Sequence, residues 1–199
     1  MNKRVSLIVL FVLVAVLVAS CGGGGGAAKP PVEMQTYEAS TFTVDYPKAW
    51  QKSNIDMMGL SMVFFSTKEI GLEDLGGLDF SSMMSKEPVF TLMFVPSSLA
   101  GQMGLDDLDA AMDAAALGDE LGDEDVQIIK EGDVTLDGAK GKLLIVKGTD
   151  PDMGKIGAHI VMAKKGDGTV VVLMGVTPEQ DLDKNLKVFE YMQDTFKFK

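Results

Sequence analysis

Cysteine, histidine and tryptophan each occur once in these 199 residues, and aromatic side chains make up only 7% of them. A lone cysteine, Cys21, excludes an intramolecular disulfide and any zinc site built from thiolates. A lone histidine, His159, excludes metal sites that need two imidazoles and leaves histidine chemistry a single candidate. Positive charge is scarce too, with 18 Lys and Arg against 29 Asp and Glu, a net charge of −11. A nucleic-acid binder displaces counterions with lysine and arginine, so this balance speaks against DNA or RNA as a partner. The sequence has no Gly-x-Ser-x-Gly elbow, no Walker loop and no His-Glu-x-x-His pattern, and no internal repeat stands out. What is present, 46% hydrophobic and 24% charged residues, is the composition of a globular chain, and the length suits one domain.

The longest apolar run lies at the start. Lys3 and Arg4 precede Val5 to Ala19, apolar apart from Ser6. A membrane span needs about 20 residues; this shorter run fits the apolar core of a signal peptide. It closes on Val18-Ala19-Ser20-Cys21, which resembles the bacterial lipobox: an aliphatic residue, two small residues, then cysteine. By that resemblance Cys21 receives a diacylglyceryl thioether and cleavage falls between Ser20 and Cys21. Residues 1–20 are then a lipoprotein signal peptide. Residues 21–36 read as the lipidated cysteine and a glycine-rich tether, because Gly22 to Gly26 have no side chains to bury. Residues 37–199 form a single domain. Without Lys3 and Arg4 the mature part has 16 basic and 29 acidic side chains. So acidic a domain is repelled by anionic headgroups, and acyl chains, at about 0.8 kcal/mol per buried methylene, have to hold it at the membrane.

Periodicity supplies the elements. Thr41 to Tyr46 alternates polar and apolar as a half-buried strand does, and Pro47 stops it. Met62 to Ser66 is a second short strand. Residues 67–86 read as an irregular, glycine-spotted excursion. Val89 to Val95, bounded by Pro88 and Pro96, is apolar enough for a central strand covered on both faces. Leu105, Leu108, Met112 and Ala115/Ala116 recur at helical spacing with aspartates between them, and Gly118 is placed to end that helix. Val126 to Ile129 starts a strand, and a turn falls within 134–141. Leu143 to Lys147, Ile156 to Ala163 and Thr169 to Val176 follow as antiparallel strands, the last two joined by a turn at Lys165 to Gly168. Thr177-Pro178-Glu179-Gln180 has the form of a capping box opening a last helix, with Leu182, Leu186, Phe189, Met192 or Gln193, and Phe196 in one stripe. The fold class is α+β, an antiparallel sheet with helices on its faces.

Three stretches carry a family resemblance. Phe42-Thr43-Val44-Asp45-Tyr46-Pro47-Lys48-Ala49-Trp50 resembles the opening strand and turn of the PsbP-like family (PsbP/DcrB type). Leu136-Asp137-Gly138-Ala139-Lys140-Gly141 resembles that family's turn before its long hairpins, and Phe189 to Phe198 its closing helix and terminal strand. The resemblance implies an α/β/α sandwich over about residues 37–199. It implies roles in binding and assembly, and it brings no shared catalytic residues.

The remaining candidates are few. His159 alternates with Ile156, Ala158, Ile160 and Met162 and reads as a structural or exposed strand residue. Asp119 to Asp125 places five carboxylates in seven residues, oxygen ligands of the kind calcium takes, although a solvated loop is the plainer reading. Asp150, Asp152 and Asp167 read as turn residues. Methionine is abundant at 14, and Met57, Met58, Met62, Met83 and Met84 are the candidates for an apolar binding surface. No cofactor is expected. The expectation is a lipid-anchored, extracytoplasmic, non-enzymatic binding or assembly module of the bacterial envelope, with a protein partner and with the membrane reached through the lipid on Cys21. The alternative is a lipoprotein that takes a small molecule or lipid in a methionine-rich pocket.

Overall fold

Val89–Val95 is apolar at all positions but Thr91, and only the middle of a sheet buries both faces of such a strand. A computed structural model, which describes residues 29–57, 59–70, 86–116, 126–150 and 154–199, places it there. Seven strands lie side by side, each antiparallel to its neighbours. In sheet order they are β3 (Gln51–Met57), β4 (Leu60–Ser66), β5 (Val89–Val95), β9 (Val170–Pro178), β8 (Gly154–Lys164), β7 (Ala139–Asp150) and β6 (Gln127–Leu136). A second, three-stranded sheet has β2 (Phe42–Pro47) between β1 (Met34–Glu38) and β10 (Lys197–Phe198). The helices are α1 (Ser97–Ala100), α2 (Leu108–Ala116) and α3 (Leu182–Thr195).

Alternation along the large sheet divides the core in two. Val63, Phe65, Leu92, Ile145, Val161 and Leu173 face Val188, Phe189 and Met192 of α3 together with Phe42, Val44 and Tyr46 of the small sheet. Leu144, Val146, Ala158, Ile160 and Val172 face the other way, onto Ala100, Leu105, Ala111 and Met112. The result is the expected α+β arrangement with helices on both faces, plus a small sheet that shares a layer with α3. Close approach of α3 depends on two glycines: a Cβ on Gly175 would stand 2.5 Å from the Phe189 ring, and one on Gly157 would stand 2.8 Å from Leu182.

Several boundaries differ from the sequence reading. Met34 to Thr36 fall within the stretch read as tether, yet they pair with Asp45 to Pro47. β3 has no counterpart in the sequence pattern, because Gln-Lys-Ser-Asn offers no apolar alternation. The turn placed within 134–141 contracts to Asp137 and Gly138, both at positive φ (44° and 87°), the conformation of a two-residue hairpin. Helix α2 starts at Leu108, three residues later than the apolar spacing implied. Asp107 caps it, accepting from the Asp109 and Ala110 N–H groups at 3.0 and 3.1 Å, while Leu105 is buried in the preceding turn.

The capping box is a correction. Thr177 belongs to β9, opposite Gly157, and is buried. Its hydroxyl accepts from the Asn185 side-chain amide at 2.7 Å, and a one-turn 3-10 helix over Glu179–Asp181 precedes α3. The strand claims Thr177, so the helix starts later and makes no side-chain cap at Asp181. Gly118, residues 71–85 of the excursion, and residues 1–28, which hold the signal-like run, the lipobox-like stretch and the five glycines, lie outside the described residues.

Candidate functional site

Of the five methionines expected to form a surface, Met62 is 6% exposed and packs with Ile55, Phe64 and Val89. It belongs to the core of β4, whose side chains on this face are covered. The Met57 side chain and residues Met58, Met83 and Met84 lie outside the described residues, as do Ser20 and Cys21 and the acidic run 119–125. Asp167 is the turn residue expected: its carboxylate accepts the Thr169 N–H at 2.9 Å, which holds it below the usual carboxylate range. Asp150 is the last residue of β7, opposite Gly154, while Asp152 is not described. Among the described residues no group of three or more metal-ligating side chains comes together.

His159 is fully buried. It stands on β8 between Ile145 and Gly175 of the neighbouring strands, with its ring 6.3 Å from that of Phe189. Neither imidazole nitrogen has a hydrogen-bond partner. Burial pushes its pKa down to about 4; Gln193 opposes that shift, and Lys130 adds weakly to it. A neutral imidazole sealed under α3 has no path to a substrate.

One concavity forms at one end of the large sheet, where five separated stretches of chain meet. Val32 and Glu33 enter the fold there. Pro47 to Trp50 turn from β2 into β3, and the Trp50 N–H closes the turn on the Pro47 carbonyl at 2.9 Å. Thr67 and Lys86 to Pro88 flank β4 and β5, and Asp181, Lys184, Asn185 and Val188 come from the start of α3. Together they line a cleft of about 560 Å³. Trp50 is mostly buried and meets Phe189 edge to face at 6.4 Å, which gives the cleft a rigid floor. Lys48 pairs with Glu33 at 2.7 Å, and its backbone N–H donates to the Glu33 carbonyl at 2.9 Å, so the entering chain is pinned to the rim. Glu87 is held by Lys68 at 2.9 Å and by the Thr67 hydroxyl at 2.8 Å, and these contacts lower its pKa. Val32, at 43% exposure, is one of four large exposed apolar residues among those described.

Sequence reasoning missed this cleft because its parts are scattered from Val32 to Val188. The available signals were Pro47 and Pro88, each marking a strand boundary, and the only tryptophan directly after one of them.

No protein family and no curated protein sequence matches the chain. Solved structures similar to it include the cyanobacterial PsbP (CyanoP) from Synechocystis sp. PCC 6803, at 18% identity and a TM-score of 0.47 over 90% of this chain and 97% of that one. The Ran-binding protein Mog1p of Saccharomyces cerevisiae aligns at 11% identity and a TM-score of 0.48, covering 83% and 95%. LpqN of Mycobacterium tuberculosis, described as involved in cell envelope biogenesis, aligns at 9% identity and a TM-score of 0.47, covering 83% and 90%. Among the described residues no helix is long and apolar enough to cross a membrane.

Proposed function

We propose that this chain is a PsbP-like, lipid-anchored extracytoplasmic module that binds or assembles other envelope components and catalyses nothing itself. The observation that carries the reading is the lipobox-like Val18-Ala19-Ser20-Cys21 after a basic start and an apolar run, ending on the only cysteine. Sheet structure begins soon after it, at Met34. Two further features support the reading. The stretches that resemble the PsbP-like family fall on β2 with its turn, on the β6–β7 hairpin, and on α3 with β10. The single histidine, the usual general base, is walled into the core.

Metabolic labelling with a fatty acid tests the anchor. The wild-type chain should take up label, and Cys21→Ser should abolish both the label and cleavage before residue 21; label surviving the substitution would refute the reading. A pull-down with the intact lipoprotein from detergent-solubilised membranes tests the binding role. A specific partner should be retained by the wild type and lost when the Trp50 cleft is altered.

The second reading, a lipoprotein that binds a small molecule or lipid, is favoured by one observation, the 560 Å³ cleft. That cleft is built on Trp50, Pro47, Pro88 and Val188, so in this reading too the buried Met62 is not a lining residue.

A further inference from the structure

We propose that the concavity between the start of α2, the β6–β7 turn and the β8–β9 turn is a second site, which takes a small molecule carrying a multiply charged oxyanion. It lies at the Val170 end of β9, whereas the Trp50 cleft lies towards the Pro178 end. The inference goes beyond the envelope-module reading and does not depend on the lipid anchor.

The register of the large sheet is the first argument. Residues directly opposite on neighbouring strands project from the same face. One row across β6, β7 and β8 is Asp133–Lys142–Met162, and the next is Thr135–Lys140–Lys164. In the first row the lysine is matched: Lys142 reaches Asp133 at 2.8 Å and Asp109 of α2 at 2.6 Å. In the second row two lysines stand opposite each other, and a threonine takes the place that the aspartate holds in the first. Like charges so placed destabilise a sheet, and neither Lys140 nor Lys164 makes an ion pair among the described residues. Both side chains are exposed, so packing does not require them. Local conflicts without a structural gain are where functional sites are found.

Charge balance is the second. Four lysines, Lys140, Lys142, Lys164 and Lys165, line the concavity with two carboxylates, Asp109 and Asp133. Both carboxylates are committed to Lys142. Asp167, outside the lining, pairs with Lys165 at 3.6 Å, and the cations still outnumber these carboxylates. The Asp107 carboxylate is taken up in capping α2. A local excess of lysine stands against the balance of the whole chain, 29 acidic to 18 basic side chains.

Geometry is the third. Lys164 Nζ donates to the Asp106 carbonyl at 3.0 Å, which holds the ammonium beside α2 and leaves its other protons for a ligand. Strands about 4.8 Å apart let the Lys140 and Lys164 ammonium groups converge on one anionic group, with the Thr135 hydroxyl as a further donor. The concavity measures about 890 Å³, the size of a small-molecule site rather than of a bare ion, and Leu108 offers an apolar wall for the organic part. An ammonium is a point charge without the fixed plane of a guanidinium. The lysines therefore recognise clustered anionic oxygens, whether phosphate groups or several carboxylates bear them.

Calorimetric titration of the intact protein in non-ionic detergent at low ionic strength, with pyrophosphate and citrate as probes, tests the site. At least one probe should bind at a single site with sub-millimolar affinity. Tighter pyrophosphate assigns the phosphate source, and tighter citrate the polycarboxylate. Lys140→Gln combined with Lys164→Gln should weaken binding about tenfold or more. Lys155→Gln combined with Lys187→Gln, the same charge change at exposed positions outside the concavity, should leave it within about twofold. Lys140→Gln alone should relieve the repulsion and raise the melting temperature of the ligand-free protein by about 1–3 °C. Binding of neither probe, or equal losses in the two double variants, would overturn the site. An unchanged or lower melting temperature would contradict the charge conflict on which it rests. A hexaglutamate peptide that binds where both probes fail would assign the surface to an acidic protein segment, and the small-molecule proposal would be wrong.

Discussion

In an unfolded chain the His159 imidazole takes up a proton near pH 6.5. In the fold its pKa is about 4, chiefly because burial disfavours the cation. Between these values the unfolded state binds more protons than the folded one, so stability rises with pH across that window. The contribution is complete above about pH 6.5 and disappears as pH falls towards 4, a loss of about 3 kcal/mol for this one group. Denaturant titrations at pH 7 and pH 4.5 should show the wild type losing more stability on acidification than His159→Leu, with the difference between the two isolating the imidazole. Equal losses would mean that water reaches the ring. The sequence showed that His159 lies on a strand. It could not show that both faces of β8 are covered, because alternation assigns a face and burial depends on what packs there.

At the scale of elements, α3 is the clearest case of pattern becoming structure. Leu182, Val188, Phe189 and Met192 are buried along one stripe, with the polar Asn185 among them. Asn185 sits there because it satisfies the Thr177 hydroxyl, and that same bond removes Thr177 from the capping role its sequence context implied. A buried polar pair of this kind joins residues eight apart through the fold and leaves no mark on local propensity. Phe189 packs against Phe90 and Trp50 at 5.6 and 6.4 Å between ring centroids. Phe189→Ala should cost about 3–5 kcal/mol, whereas Lys187→Ala, exposed two residues earlier, should stay within about 0.5 kcal/mol. Chemical denaturation of both variants checks this; similar small effects would mean that α3 is not docked on the sheet through this stripe. On the opposite face Lys142 bridges Asp109 of α2, at 2.6 Å, and Asp133 of β6, at 2.8 Å. These contacts raise the lysine pKa and lower that of Asp133, and they tie α2 to the far edge of the sheet. That edge strand, β6, exposes Ile128 and Ile129 but breaks register between Ile128 and Lys130. A bulge and charged neighbours are what discourage pairing with another chain.

For the whole molecule, the core clusters of the described residues begin at Met34. A chain starting at Lys29 should be soluble without detergent, show mixed helix and sheet by circular dichroism, and melt in one cooperative transition, since all three core clusters draw on the seven-stranded sheet. Two independent transitions, or a product that requires lipid, would contradict this. The class of the fold could be read from the chain because its strands and helices carry clean periods of two and of three to four. The cleft could not, because a site assembled from five separated stretches exists only after the sheet has brought their ends together.

The pairing of β10 with β2 has a consequence in time. Phe198 lies opposite Phe42, and Phe42 also stacks on Phe196 at 5.6 Å. Nearly all of the folded chain separates these partners, and contacts so distant in sequence form slowly. The layer that holds Phe42 therefore closes only once β10 has been made, so a nascent chain that lacks this strand is not committed to its final shape.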